Sequence, residues 1–391
     1  MKKFLALILS LSMVLGLTAC GGSKAPAGSD ASTPAATGST AAPTKAASDY
    51  QVAMITDYGD ITDQSFNQTT YEACKAFCEE NNMKFNYFKP AGDSDAERVA
   101  MIESAIDEGY NVIVMPGYAF AGAIKETAGT YTDTTFIALD VSAADLGDDY
   151  KVPSNLYCAV YQEELSGYMA GYAAVKLGYK HLGFLGGMAV PAVVRFGYGF
   201  VQGVDAAATE GKLTDVKVEY VYGNKFAGDP DITAYMDNWY KTLGVQAVFA
   251  CGGIYTSAAE AAAKVKDAKV IGVDTDQSAI IDKDYGKGMT LTSAMKGLAP
   301  TVKHMLSEVV AGNFANYGGK IETLGLVSGD DTEANYVQLP LETTQWGDGF
   351  TKEDYKALVA DMFGGKITVS NDVKNQPAVK TAQVQYYDNI K

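Results

Sequence analysis

From Tyr50 onward the chain alternates short apolar runs with longer stretches in which apolar residues recur every three or four positions. The run 51–56 predicts a strand, and 65–82 predicts a helix whose buried face carries Tyr71, Cys74, Phe77 and Cys78. Strand 84–88, helix 94–108, strand 111–115 (stopped by Pro116-Gly117) and strand 135–140 follow. This βαβα order predicts a parallel sheet flanked by helices. The pattern then restarts. Strand 156–160, a Gly/Ala-rich helix 163–177, strand 181–185, a helix within 191–210, and strands 217–222, 247–250 and 270–273 form a second series. A strand at 289–295, a helix at 298–310 and a helical pattern at 350–364 complete it. Two βαβ series in tandem predict two doubly wound lobes. Roughly 340 residues beyond the N-terminal segment also exceed the usual size of one core.

The first 48 residues do not fit this alternation. Lys2 and Lys3 precede an apolar stretch from Phe4 to Leu17, shorter than the roughly 20 residues that span a bilayer. The run Leu17-Thr18-Ala19-Cys20 follows. A basic start, a short apolar core and small residues at the cut predict a secretory signal over 1–19. The segment resembles a bacterial lipobox, which implies diacylation of Cys20 and an extracytoplasmic, lipid-anchored protein. Residues 20–48 are almost all Ala, Ser, Thr, Gly and Pro, a composition that predicts a flexible tether.

Charge excludes one class of partner. The chain carries −16 overall, and residues 1–48 hold four lysines against one aspartate, so the body carries −19. Such a surface repels phosphate backbones, and no nucleic-acid partner is expected. Cys74 and Cys78 lie one helical turn apart, where a disulfide would be strained, and are expected to be small core residues. His181 and His304 are the chain's two histidines, so no metal site is expected. No glycine-rich nucleotide fingerprint, phosphate loop or G-x-S-x-G elbow is present.

Ligands of open α/β sheets bind beyond the carboxyl ends of the strands. Four places there carry suitable chemistry. The run Asp63-Gln64-Ser65-Phe66-Asn67 sets an acid, an amide and an aromatic at the mouth of a helix, although Ser65 or Asn67 as a simple cap is the plainer alternative. Asp274 ends an apolar strand, where a carboxylate accepts two hydrogen bonds from vicinal hydroxyls or caps a turn. At Gly252-Gly253 the missing side chains let a ligand approach the backbone. Lys296 follows a mostly apolar strand and can reach a ring acceptor.

These segments resemble the basic membrane protein, or PnrA-like, family of lipoproteins. The matching pieces are DQSFNQTTYEA (63–73), MPGYAF (115–120), PAVVRFGYGFVQG (191–203), YGNKFAGDP (222–230), ACGG (250–253), VIGVDTDQ (270–277) and TSAMK (292–296). The resemblance implies a periplasmic-binding-protein type I fold and a purine nucleoside captured between the lobes for an ABC transporter. It implies that Asp63 and Asn67 bond the base edge or sugar, that Phe66 or Tyr71 gives an aromatic face, and that Asp274 holds ribose hydroxyls. Lys296 would meet a base acceptor, and Phe196 and Phe226 would stack from the second lobe. Gly117 and Tyr118 of MPGYAF, and Asp140 at the end of its strand, complete the set. Two departures, Gly223-Asn224-Lys225-Phe226 and Gly252-Gly253-Ile254-Tyr255, bear on base preference.

The expected organisation is lobe 1 over 49–157 plus about 290–320, and lobe 2 over 158–288 plus about 321–391. No catalytic residue or cofactor is expected. The expected partners are a small-molecule ligand, separately encoded permease and ATPase subunits, and the membrane through the lipid, with the protein itself monomeric. Two rival readings are a nucleoside hydrolase, drawing on Asp57, Asp60 and Asp63, and a binding protein or sensor for a sugar or other small ligand on the same scaffold.

Overall fold

The computed structural model describes residues 45–147 and 149–391; the proposed signal 1–19, most of the tether, and Cys20 lie outside the described residues. Among the described residues thirteen strands occur in chain order: β1 (Gln51–Ile55), β2 (Lys84–Phe88), β3 (Val112–Pro116), β4 (Thr135–Leu139), β5 (Leu156–Tyr161), β6 (His181–Gly186), β7 (Lys217–Tyr222), β8 (Ala247–Cys251), β9 (Lys269–Asp274), β10 (Thr290–Lys296), β11 (Lys320–Leu324), β12 (Val337–Gln338) and β13 (Gln383–Tyr386). They form two sheets, ordered β11-β5-β4-β3-β1-β2 and β12-β10-β9-β8-β6-β7-β13. Every pairing is parallel except β12 against β10.

Parallel strands covered on both faces read as unbroken apolar runs. Accordingly β3 (VIVMP) and β8 (AVFAC) are buried at every position. Each sheet separates two apolar cores. Val52, Val114 and Ile137 face one side of the first sheet, while Ala53, Ile113 and Phe136 face the other. The second sheet divides Phe184 and Phe249 from Leu185 and Val248 in the same way.

The lobe boundaries differ from those read in the sequence. The whole of β5, to Tyr161, belongs to the first sheet. Strand β10 pairs with β9 in the second sheet rather than returning to the first. The returning segment is instead the helix Leu298–Val310, which packs Leu298, Val302 and Leu306 against Cys74 and Phe77, followed by β11 beside β5. The chain therefore crosses between lobes at Gln162, at Gly297 and in the stretch between β11 and β12.

One helix pair lies against the first crossing. Helices Glu163–Lys176 and Pro191–Glu210 carry the spacings Gly167-x-x-x-Gly171 and Gly199-x-x-x-Gly203. A Cβ on Gly199 would lie 2.1 Å from the Glu164 carbonyl oxygen, and one on Gly167 2.2 Å from that of Phe196. The two backbones thus touch, which only residues without a side chain permit. This contact brings the start of the first helix, Glu163 and Glu164, against the second helix beside Arg195 and Phe196.

Candidate functional site

In both sheets the strand order reverses direction at one place, between β1 and β3 in the first and between β6 and β8 in the second. Loops after these strands diverge to opposite faces and leave a crevice. The loop after β1 is held by Asp63. Its Oδ1 accepts from the backbone N–H of Ser65 (2.9 Å) and Gln68 (3.0 Å), and its Oδ2 from the Asn67 backbone (2.9 Å) and side-chain amide (3.1 Å). Asp63 is therefore the cap of helix Phe66–Glu80, in place of Ser65 or Asn67. Burial pushes its carboxyl up, and these hydrogen bonds oppose that rise. The Asn67 amide also donates to Asp57 Oδ1 (3.1 Å). Gly117, at φ 121°, turns the chain beside Asp57. Tyr118 follows it, its hydroxyl pKa pushed up by burial and then by Asp93 and Asp57.

Lys296 occupies the floor between the lobes with 3% of its side chain exposed. Its Nζ lies 2.5 Å from Asp140 Oδ2, 3.6 Å from Glu163 Oε1 and 3.7 Å from Asp274 Oδ1. The ring centres of Phe66, Tyr161 and Phe196 are 4.6, 5.6 and 5.7 Å from the same atom. Burial alone lowers a lysine pKa, but Asp140, Asp274 and Glu163 more than offset it and hold the ammonium charged. Burial raises the carboxyls of Asp140 and Asp274, and Lys296 opposes that rise in both. Arg195 adds a second cation, its Nε 2.6 Å from Glu163 Oε2.

The cluster draws on both lobes. Asp140 follows β4, while Asp274 and Lys296 end β9 and β10. Two further bonds cross the cleft. The Ser65 hydroxyl donates to Asp274 Oδ2 (2.5 Å), and the Gln277 amide donates to the Gln64 carbonyl (3.0 Å). Gln64, Asp140 and Asp274 all have left-handed backbone, with φ of 56°, 59° and 63°. Such strain in non-glycine residues collects where side chains must be aimed. Among the described residues, Asp140 Oδ1, Glu163 Oε1 and Glu164 Oε2 are buried without a hydrogen-bond partner. Unused buried acceptors are expensive and suit a ligand that donates hydroxyl or N–H groups.

The remaining candidates divide. Phe66 and Phe196 flank Lys296, and Phe196 also meets Phe249 edge-on at 5.9 Å. The glycines at 252 and 253 admit Phe226 instead of a ligand. A Cβ on Gly252 would lie 2.9 Å from that ring, one on Gly187 2.5 Å from it, and one on Gly253 2.4 Å from the Phe226 carbonyl. Tyr71 does not join the cleft. It packs on Phe85 and Tyr87, at 5.6 and 5.4 Å, on the outer side of its helix.

Ser65, Glu163, Glu164, Arg195 and Gln277 enter the site without having been singled out for a ligand. One signal was available. The chain has 29 lysines and two arginines, Arg98 and Arg195. Arg98 is 3% exposed, donating to the Asp57 carbonyl (3.0 Å) and pairing with Asp93. A chain that otherwise meets its need for positive charge with lysine keeps arginine for fixed, forked contacts.

Glu164 yields a pH prediction. Burial lifts its pKa to about 7, with Glu163 reinforcing the rise and its own backbone N–H and Arg195 opposing it. The unfolded chain releases this proton near the ordinary value, so the group's contribution is intact below about pH 4.5 and is lost by about pH 7. A shift of that size corresponds to on the order of 3 kcal/mol. Glu164→Gln should match the parent in urea unfolding at pH 4.5 and exceed its stability at pH 8. A stability difference that does not change with pH would show that Glu164 titrates normally.

Comparison with known proteins agrees with this architecture. Residues 50–330 match the family model described as ABC transporter substrate-binding protein PnrA-like. The ABC transporter nucleoside-binding protein BmpA of Lactococcus lactis subsp. cremoris is 28% identical over 345 residues, 83% of this chain and 90% of that protein. A CD4+ T-cell-stimulating antigen of Listeria monocytogenes is 30% identical over 342 residues, 82% of this chain and 87% of its own length. Among solved structures, a solute-binding protein of an ABC transporter system from Aeropyrum pernix superposes with a TM-score of 0.62 at 21% identity, covering 83% of this chain and 88% of that one. That likeness establishes the type I periplasmic-binding fold. The chain belongs to the PnrA-like, or basic membrane protein, family of ABC transporter substrate-binding proteins, which carry a ligand and do not transform it.

Proposed function

We propose that this protein captures a purine nucleoside in the interlobe cleft, outside the cytoplasmic membrane, and delivers it to an ABC permease while held to the membrane through lipid on Cys20. The observation that carries the reading is the Lys296 cluster. It joins both lobes, lies between the rings of Phe66 and Phe196, and leaves carboxylate oxygens without a donor. A nucleoside offers what these groups lack, vicinal hydroxyls for the carboxylates and a flat ring for the aromatics. The name of the Lactococcus relative supports the same ligand class.

Three buried carboxylates face two cations here, which disfavours an anionic ligand such as a nucleotide. Closure follows from differential affinity. Ligand bonded to Asp274 in one lobe and Asp140 in the other stabilises the closed form by as much as it prefers that form. The permease would then meet a closed, monomeric body. Asp63 and Asn67 shape the loop that carries Ser65 and Phe66, and Tyr118 with Gly117 borders the same crevice.

A ligand at a hundredfold excess over its Kd adds about 2.7 kcal/mol of stability, a melting shift of several degrees. Inosine, guanosine or adenosine should produce that shift, and Asp274→Asn should weaken the nucleoside at least about tenfold, since a charged hydrogen bond contributes roughly 1.5–3 kcal/mol. A shift with sugars and none with nucleosides would overturn the nucleoside reading in favour of a sugar-binding one. For the anchor, Cys20→Ala should move the protein from the membrane fraction to the soluble fraction. Unchanged membrane retention would refute lipidation at Cys20.

A further inference from the structure

Arg195 is not fully used by the protein. Its Nε donates to Glu163 Oε2 at 2.6 Å, and among the described residues no other acceptor bonds its guanidinium. Five N–H donors on a planar fork leave four to place. The side chain keeps 17% of its surface exposed. It stands in the opening turns of helix Pro191–Glu210, beyond the carboxyl end of β6, next to Phe196. Although burial opposes it, the carboxylates of Glu163, Asp140 and Glu164 keep the guanidinium firmly charged, and the Glu163 carboxylate, 2.6 Å from Arg195 and 3.6 Å from Lys296, joins the two cations.

Lys296 is differently placed. Its ammonium bonds Asp140, is ringed by Glu163 and Asp274 at 3.6 and 3.7 Å, and keeps only 3% of its side chain exposed. The cation more open to a ligand's acceptor edge is the arginine, 17% exposed and bonded only through its Nε. We propose that Arg195 reads the acceptor edge of the ligand's ring and selects 6-oxopurine nucleosides, inosine and guanosine, over adenosine. This rests on the nucleoside reading above and goes a step further. The adjacent O6 and N7 of a 6-oxopurine accept both arms of a guanidinium fork, whereas the 6-amino group of adenosine presents a donor to a donor. Glu163 is the positioning residue, since it fixes the fork by its Nε and leaves the terminal nitrogens free. The carboxylates, which only accept, are left for the hydroxyls of the sugar.

The test is calorimetric titration of the protein with inosine, guanosine and adenosine, in the parent, in Arg195→Lys, and in the double variant Glu163→Gln/Arg195→Met. The lysine variant keeps a positive charge beside Glu163 but loses the fork. The double variant removes both partners, so that no buried charge is stranded. The parent should bind inosine and guanosine at least about tenfold tighter than adenosine. Both variants should bring that ratio to within about threefold, chiefly by weakening the two oxopurines. A merely structural role would weaken all three nucleosides alike and leave the ratio intact, which would overturn the proposal, as would a parent that prefers adenosine. If none of the three binds the parent, the nucleoside reading falls and this inference with it. If they bind with a ratio indifferent to Arg195, only this inference falls.

Discussion

A buried ammonium must find opposite charge within a few ångströms, and Lys296 finds it on elements from both lobes. The carboxylate at 2.5 Å, Asp140, belongs to the first sheet, while Asp274 and the lysine end neighbouring strands of the second. Separating the lobes would cost the lysine its contact with Asp140 and leave Asp274 and Glu163 of its own lobe as partners, so the charge cluster favours the closed arrangement. The protein makes this possible by crossing between lobes immediately beside the cluster, at Gln162 before Glu163 and at Gly297 after Lys296. The lobe crossings and the charge cluster thus lie in the same few residues.

The rest of the architecture serves that placement. Parallel sheets with buried faces aim every strand's carboxyl end the same way, and the reversal of strand order opens a crevice there. Glycines then set the spacing. The pair at 167 and 171 meets the pair at 199 and 203, and backbone contact between the two helices carries Arg195 to Glu163. Around Phe226 the glycines at 187, 252 and 253 make room for an aromatic side chain from the protein itself. A bulky Ile254 is accommodated nearby because it is fully buried in the apolar core of the second lobe that also holds Val248 and Ala258.

Much of this was legible in the sequence because buried parallel strands announce themselves as apolar runs. Beyond short helices such as Pro230–Asn238 and Tyr255–Ala262, what escaped detection was at the edges. β11 (KIETL) and β13 (QVQY) are edge strands with mixed exposure, so their alternation is faint. The C-terminal strand is tied by Asp205, whose carboxylate accepts the backbone N–H groups of Lys380, Thr381 and Ala382, a contact across more than 170 residues that no local pattern encodes. The lobe assignment of 290–296 failed for a related reason, since local periodicity identifies a strand but not its neighbour. Of the site, the residues at strand ends were visible by position. Tyr71 was misleading because it shares a matched segment with Phe66, yet five residues along a helix turn it about 140° away from Phe66, onto Phe85 and Tyr87. Glu163 read as an ordinary acid in a first helical turn, and nothing local distinguishes that from a buried partner of arginine.

The central claim is that the Lys296 cluster is the floor on which ligand is recognised. A crystal structure of the protein grown with inosine tests it most directly. The account predicts the nucleoside between the rings of Phe66 and Phe196, with ribose hydroxyls within about 3 Å of the carboxylates of Asp274 or Asp140. A nucleoside bound elsewhere, with Asp274 still bonded only to Ser65 and Lys296, would contradict it.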